Sequence, residues 1–115
     1  MHELGIMTDV LDTALRAAEQ NGGRKVTKIT LKIGLMSGVM PAYVQSFFDV
    51  ISKDTIAAGA EITIVRDPAV FVCRKCGVKT AYTELGPEYL CQSCGSRALR
   101  LSSGYGFQIV SVGIL

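Results

Sequence analysis

The chain has no tryptophan, three prolines and a single histidine among its 115 residues. One histidine cannot form a multi-histidine metal site or a histidine dyad. No phosphate-binding glycine loop and no serine–histidine pairing suggests an enzyme, so no enzymatic activity is expected. The longest uncharged stretch, Ile33 to Phe48, is broken by Gly34, Ser37, Gly38, Pro41, Gln45 and Ser46. It falls well short of the roughly 20 consecutive apolar residues that cross a bilayer. The start reads Met-His-Glu, without the basic and apolar regions of a secretory signal. A reducing cytoplasm is therefore expected. There, four cysteines are metal ligands more often than disulfides. Charge is also sparse: the net value is +2, too little to specify a nucleic-acid or membrane partner.

What is present divides into segments. Leu4, Met7, Leu11, Ala14, Leu15 and Ala18 recur at steps of three and four, predicting an amphipathic helix with Asp9, Asp12, Arg16 and Glu19 turned outward. Asn21-Gly22-Gly23 should end it. In KVTKITLKIG, Ile29, Leu31 and Ile33 alternate with Lys28, Thr30 and Lys32, which predicts a half-buried strand whose lysines form a solubilising outer face. Pro41 suits the first position of a second helix, with Val44, Phe47, Phe48 and Ile51 as its apolar stripe. Met36, Met40, Phe47 and Phe48 are assigned to core or hinge packing, with no cofactor role. A further strand, AEITIVRD, closes at Asp67-Pro68, and YGFQIVSVGIL returns to a strand pattern at the end.

Between these last two strands the composition changes to a cysteine- and glycine-punctuated stretch. The expected fold is α+β: two helices on a three-stranded sheet, with a four-cysteine module inserted before a terminal strand that rejoins the sheet. The corresponding division is a body over residues 1–68, a metal module over 69–104 and a completing strand over 105–115. From Ala69 to Gly104, Arg74, Lys75, Lys79, Arg97 and Arg100 stand against Glu84 and Glu88, so this part carries +3 while the remainder carries −1.

Cys73, Cys76, Cys91 and Cys94 form two C-x-x-C-G knuckles, CRKCG and CQSCG, separated by fourteen residues. Two such turns present four thiolates tetrahedrally, as a structural Zn(II) requires. The fourteen residues leave room for a short hairpin through Ala81–Tyr89. Two disulfides, a redox pair and a rubredoxin-like iron site are competing readings. The module holds little apolar material, so metal binding should supply most of its folding free energy. With four protein ligands the zinc has no open position for catalysis. An alternative function, nucleic-acid binding, would use Arg74, Lys75 and Lys79 as cations, with Phe71 and Tyr82 for stacking.

MHEL at the start, IGLMSGVMP, AGAEITI before the first cysteine pair and CQSCGS after it resemble the HypA/HybF family, the nickel metallochaperones of [NiFe]-hydrogenase maturation. The resemblance runs from Met1 to Leu115 and implies that Ni(II) binds at the extreme N-terminus, with His2 essential and Glu3 nearby. It also implies work with a maturation GTPase and the hydrogenase large-subunit precursor; in some organisms such chaperones also serve urease. The chemistry is consistent. The Met1 amine, the His2 amide nitrogen and the His2 imidazole close adjacent chelate rings, and the Glu3 amide nitrogen completes a nitrogen plane suited to Ni(II) or Cu(II). The Glu3 carboxylate could instead ligate or favour the helix dipole. Histidine is too bulky for routine removal of the methionine before it, so Met1 is expected to stay. Two positions depart from the family pattern: Ala42 and Gly106 stand where glutamate is usual.

Overall fold

The computed structural model describes residues 3–115, with side chains from Gly5 onward. The elements run α1 (Glu3–Gln20), β1 (Val26–Gly34), α2 (Pro41–Ile51), β2 (Glu61–Asp67), β3 (Ala69–Cys73), β4 (Lys79–Tyr82), β5 (Leu99–Ser103) and β6 (Phe107–Ile114). They form an α+β protein with two three-stranded sheets, ordered β2-β1-β6 and β4-β3-β5. The terminal strand joins β1, as a lone apolar strand must find a partner. By contacts the chain makes two compact units. One takes the residues through Lys32 together with Val39–Val65 and Gln108–Leu115; the other takes Ile33–Gly38 and Arg66–Phe107. No described helix is long and apolar enough to cross a membrane.

In the first unit α1 packs against α2. The buried face of α1 is Ile6, Met7, Val10, Leu11, Ala14 and Ala18, while Leu15 is half-buried. The apolar stripe is thus centred nearer Met7 and Val10 than the sequence spacing indicates. Asp9, Asp12, Arg16 and Glu19 are exposed, as their spacing predicts. Helix α1 ends in a Schellman turn: Gly22 takes φ +64°, its N–H donates to Glu19 O (3.2 Å), and Gly23 N–H donates to Ala18 O (2.7 Å).

Helix α2 starts with Pro41 at its first turn and has Met40 at the cap without a side-chain hydrogen bond. Val44 and Phe48 are fully buried with Val26, Ile29 and Leu31. Each such side chain contributes roughly 1.5–3 kcal/mol by leaving water. Met36 and Met40 are exposed, at 36% and 48%, so they are not core packing. The Gln45 amide ties α2 to the edge strand β2: Nε2 donates to Ala60 O (3.1 Å) and Oε1 accepts from Ile62 N–H (2.8 Å). A side chain thereby occupies backbone groups at a sheet edge, where unpaired strands invite aggregation.

In the second unit β3 is the central strand and runs antiparallel to both neighbours. Phe71 faces Thr80 on β4 and Leu101 on β5; Val72 faces Lys79 and Arg100. The register with β5 shifts between Val70 and Phe71. The room that the cysteine spacing leaves for a hairpin through Ala81–Tyr89 is not used for one. Strand β4 ends at Tyr82, residues 83–98 contain no strand, and β4 pairs with β3 instead. The connection after β1 is held by backbone bonds: Gly34 N–H to Gly106 O (2.8 Å), Leu35 N–H to Asp67 O (2.9 Å) and Met36 N–H to Gly104 O (2.8 Å). Gly104 has φ +89°, and a Cβ there would overlap the Pro68 carbonyl oxygen. At Gly106 a Cβ would meet nothing within 4 Å, so backbone geometry does not require glycine at that departure from the family pattern.

Candidate metal centre

The two knuckles fold alike because their sequences place glycine at the same point. In the first, Gly77 (φ +76°) donates its N–H to Cys73 O (2.9 Å), and Cys73 N–H donates to Val78 O (3.0 Å). In the second, Gly95 (φ +72°) donates to Cys91 O (2.9 Å), and Cys91 N–H donates to Ser96 O (2.9 Å). A left-handed residue closes each turn at little steric cost only because it lacks a Cβ. In each knuckle the first cysteine is buried and the second exposed: Cys73 and Cys91 inside, Cys76 and Cys94 outside.

All four Sγ atoms lie within 4.8 Å of one another. Across the knuckles, Cys73 Sγ is 3.7 Å from Cys94 Sγ, and Cys76 Sγ is 3.5 Å from Cys91 Sγ. A tetrahedron with Zn–S bonds of about 2.3 Å has S–S edges of about 3.8 Å. These separations therefore match a tetrahedral thiolate site, and they far exceed the roughly 2.05 Å of a disulfide. The donor set fits a bound metal such as zinc.

The backbone of each turn favours the thiolate form. The Cys76 N–H approaches Cys73 Sγ at 3.5 Å and, against the effect of burial and aided by Lys75 N–H and the neighbouring thiols, brings the Cys73 thiol down from 9.0 to about 6. Cys91 is lowered in the same way, first by Cys94 N–H and then by Ser93 N–H. Val78 N–H pulls Cys76 downward, but the Cys91 thiol, burial and the other two thiols outweigh it and push Cys76 up to about 11. Four thiols this close cannot all ionise without a cation among them.

Strand β4 positions the second knuckle. Its alternate residues Thr80 and Tyr82 grip the backbone on either side of Cys91. Tyr82 Oη donates to Leu90 O (2.7 Å) and accepts from Leu90 N–H (3.1 Å), while Thr80 Oγ1 accepts from Gln92 N–H (3.2 Å). Tyr82 and Tyr89 meet edge-on with ring centroids 4.9 Å apart, and Phe71 lies 5.2 Å from Tyr89 and 6.1 Å from Tyr82. The sequence offers Phe71 and Tyr82 only as stacking rings and does not reveal this supporting role. Its only trace there is the T-x-Y alternation preceding the second knuckle. Packing within this group also engages the rings of Phe71 and Tyr82 that nucleic-acid binding would use for stacking. Phe71 is buried, and through its pairing with Thr80 it lies on the opposite face of the sheet from Lys79.

Of the residues expected to carry function, the structure thus brings the four cysteines together. Met1, His2 and the Glu3 side chain lie outside the described residues; α1 begins at Glu3.

Comparison with known proteins bears on the whole chain. The family model described as hydrogenase/urease nickel incorporation, metallochaperone, hypA, matches residues 1–114. A hydrogenase maturation factor HypA from Synechococcus elongatus is 33% identical over 115 residues, covering 100% of both chains. One from Methanocella arvoryzae is 37% identical over 95 residues, covering 83% of this chain and 82% of that one. The solution structure of the Ni metallochaperone HypA from Helicobacter pylori superposes with a TM-score of 0.65 at 19% identity, over 100% of this chain and 98% of that one, a likeness of fold. Since both the family model and full-length relatives run through the α+β body and the paired knuckles alike, this chain belongs to the HypA family.

Proposed function

We propose that the protein is a nickel metallochaperone that takes Ni(II) at its N-terminus and delivers it to the precursor of a [NiFe]-hydrogenase during maturation. The observation that carries this reading is membership of a nickel-incorporation family over residues 1–114, a match that includes the Met-His-Glu start. The nickel, as cargo, is held by the Met1 amine, the His2 amide and imidazole nitrogens and the Glu3 amide nitrogen. Such a donor set suits a planar Ni(II) ion. It sits at a chain end, where an ion can be passed on, and it releases the ion on acidification because every donor must lose a proton to bind.

The hydrogenase maturation GTPase and the large-subunit precursor are the partners this role requires. The urease wording of the family description extends the candidates to urease maturation proteins. The work is cytoplasmic and non-enzymatic. Residues 1–68 with the strand 105–115 form the nickel-handling body, and residues 69–104 form the zinc module. Cys73, Cys76, Cys91 and Cys94 hold a resident Zn(II), which when bound cross-links the two knuckles. The sulfur separations of 3.5 Å and 3.7 Å support this assignment.

The test is a nickel titration near neutral pH on the native chain and on a version carrying one extra residue before Met1. The native chain should bind about one Ni(II), and the extended one should bind it more weakly or in altered geometry. Equal binding by both would refute the terminal chelate, because the cysteines are untouched by the extension.

A further inference from the structure

The register of the second sheet sorts its side chains onto two faces, since directly paired residues in a sheet point the same way. One face carries Phe71, Cys73, Thr80, Tyr82, Leu99 and Leu101, the support of the metal centre. On the other, Val72 on the central strand is flanked by Lys79 on β4 and Arg100 on β5, and Val70 is paired with Ala81. Lys79, Ala81 and Arg100 are exposed, and Val70 and Val72 are half-buried. The row is therefore cation, aliphatic, cation, over a second aliphatic row. Of the cations in this unit, Arg97 is engaged by Glu88 (3.0 Å). Among the described residues neither Lys79 nor Arg100 has a carboxylate partner.

Lys79 and Arg100 flank Val72 from either side, and among the described residues no ion pair ties either charge into the fold. They do not serve the thiolates, because the sheet lies between them: Cys73 points to the face opposite Val72, as successive residues of a strand do. From this geometry we infer that the Lys79–Val72–Arg100 face docks an acidic, aliphatic segment of a partner protein. Complementarity of charge fixes the chemistry of the occupant. Lys79 and Arg100 sit two strand spacings apart, roughly 10 Å, and their long side chains can splay to meet two carboxylates four residues, or about 13 Å, apart on one face of an extended segment. Val70 and Val72 between and beside them favour a branched aliphatic side chain there. Nucleic acid is the poorer occupant, because among the described residues the paired strands put no ring on this face for a base to stack on; Phe71 and Tyr82 are on the other side. The inference goes beyond the nickel reading and stands independently of how the N-terminus binds metal.

The experiment uses the full zinc-loaded chain, with amide chemical shifts followed by NMR. The probes are a blocked peptide of about thirteen residues repeating Glu-Ser-Val-Ser, which puts glutamate and valine on one face when extended, and, separately, an oligothymidylate of about twelve nucleotides. The peptide should bind saturably at about 20 mM salt, shift the amides of Val70–Val72, Lys79–Ala81 and Leu99–Leu101, and weaken at about 200 mM salt. The double variant Lys79→Glu/Arg100→Glu should lose about tenfold or more in affinity. The milder Lys79→Gln/Arg100→Gln should fall between, and it replaces the first variant if charge reversal disturbs zinc content. Absence of peptide binding, shifts confined to other elements, or full affinity in the variants would overturn the proposal. So would tighter binding of the oligothymidylate than of the peptide through the same residues.

Discussion

Substituting Tyr82→Phe tests how the second knuckle is built. The hydroxyl is the only thing removed, and it both donates to Leu90 O at 2.7 Å and accepts from Leu90 N–H at 3.1 Å. Each bond is worth about 0.5–1.5 kcal/mol net. Leu90 is half-buried, so water can replace part of what is lost, and a total of about 1–2 kcal/mol follows. The ring contacts with Phe71 and Tyr89 remain. Because a module with little core couples its folding to metal binding, that loss appears in the zinc equilibrium. Since 1.4 kcal/mol is tenfold, zinc should be held about five- to thirtyfold less tightly. Competition with a chelator of known affinity near pH 7.5 reads this directly. Thr80→Val removes one acceptor, for Gln92 N–H at 3.2 Å, and should weaken retention by less. Leu85→Ala, at a side chain 65% exposed, should change nothing. Zinc retention in Tyr82→Phe within about twofold of the parent would refute the reasoning. It would mean that the metal alone shapes the knuckle, or that the module is folded before the metal arrives.

The glycines after β5 should separate cleanly. Gly104→Ala combines a positive φ with overlap on the Pro68 carbonyl and should lower stability by roughly 1–3 kcal/mol in urea unfolding, whereas Gly106→Ala, with open space at its Cβ, should stay within about 0.5–1 kcal/mol of the parent. Zinc retention should weaken as pH falls from about 8 to about 5, because each ligating thiol must lose its proton to bind the metal. Chelator competition at several pH values across this range checks it, and a flat profile would count against thiolate ligation.

Much of the fold was legible because the signals are local. Gly22 and Gly23 end α1 and Pro41 begins α2 through backbone conformations that any context would leave favourable. The alternation in β1 and the knuckle pattern C-x-x-C-G likewise encode their geometry within a few residues. The centring of α1's buried face on Met7 and Val10 was less legible, because several apolar residues offer adjacent stripes and only the packing of α2 chooses among them. Of the core or hinge packing read for Met36 and Met40, their exposure excludes the core: hydrophobicity states a preference, and burial needs a surface to be buried against.

The sequence by itself determined the α+β class, the return of the last strand to the sheet, and the two knuckles that hold four cysteines in reach of one metal. Each follows from periodicity or from a conformational limit carried by a single residue type. Only the tertiary structure decided that β4 pairs with β3 rather than folding into a hairpin beyond Tyr82. It also decided that Tyr82 and Thr80 brace Cys91, and that Lys79 and Arg100 flank Val72 on the face away from the thiolates. Those facts depend on strand register, which joins residues far apart in the chain. Register is set by the sum of many weak side-chain preferences across the sheet, and no short stretch of sequence contains it.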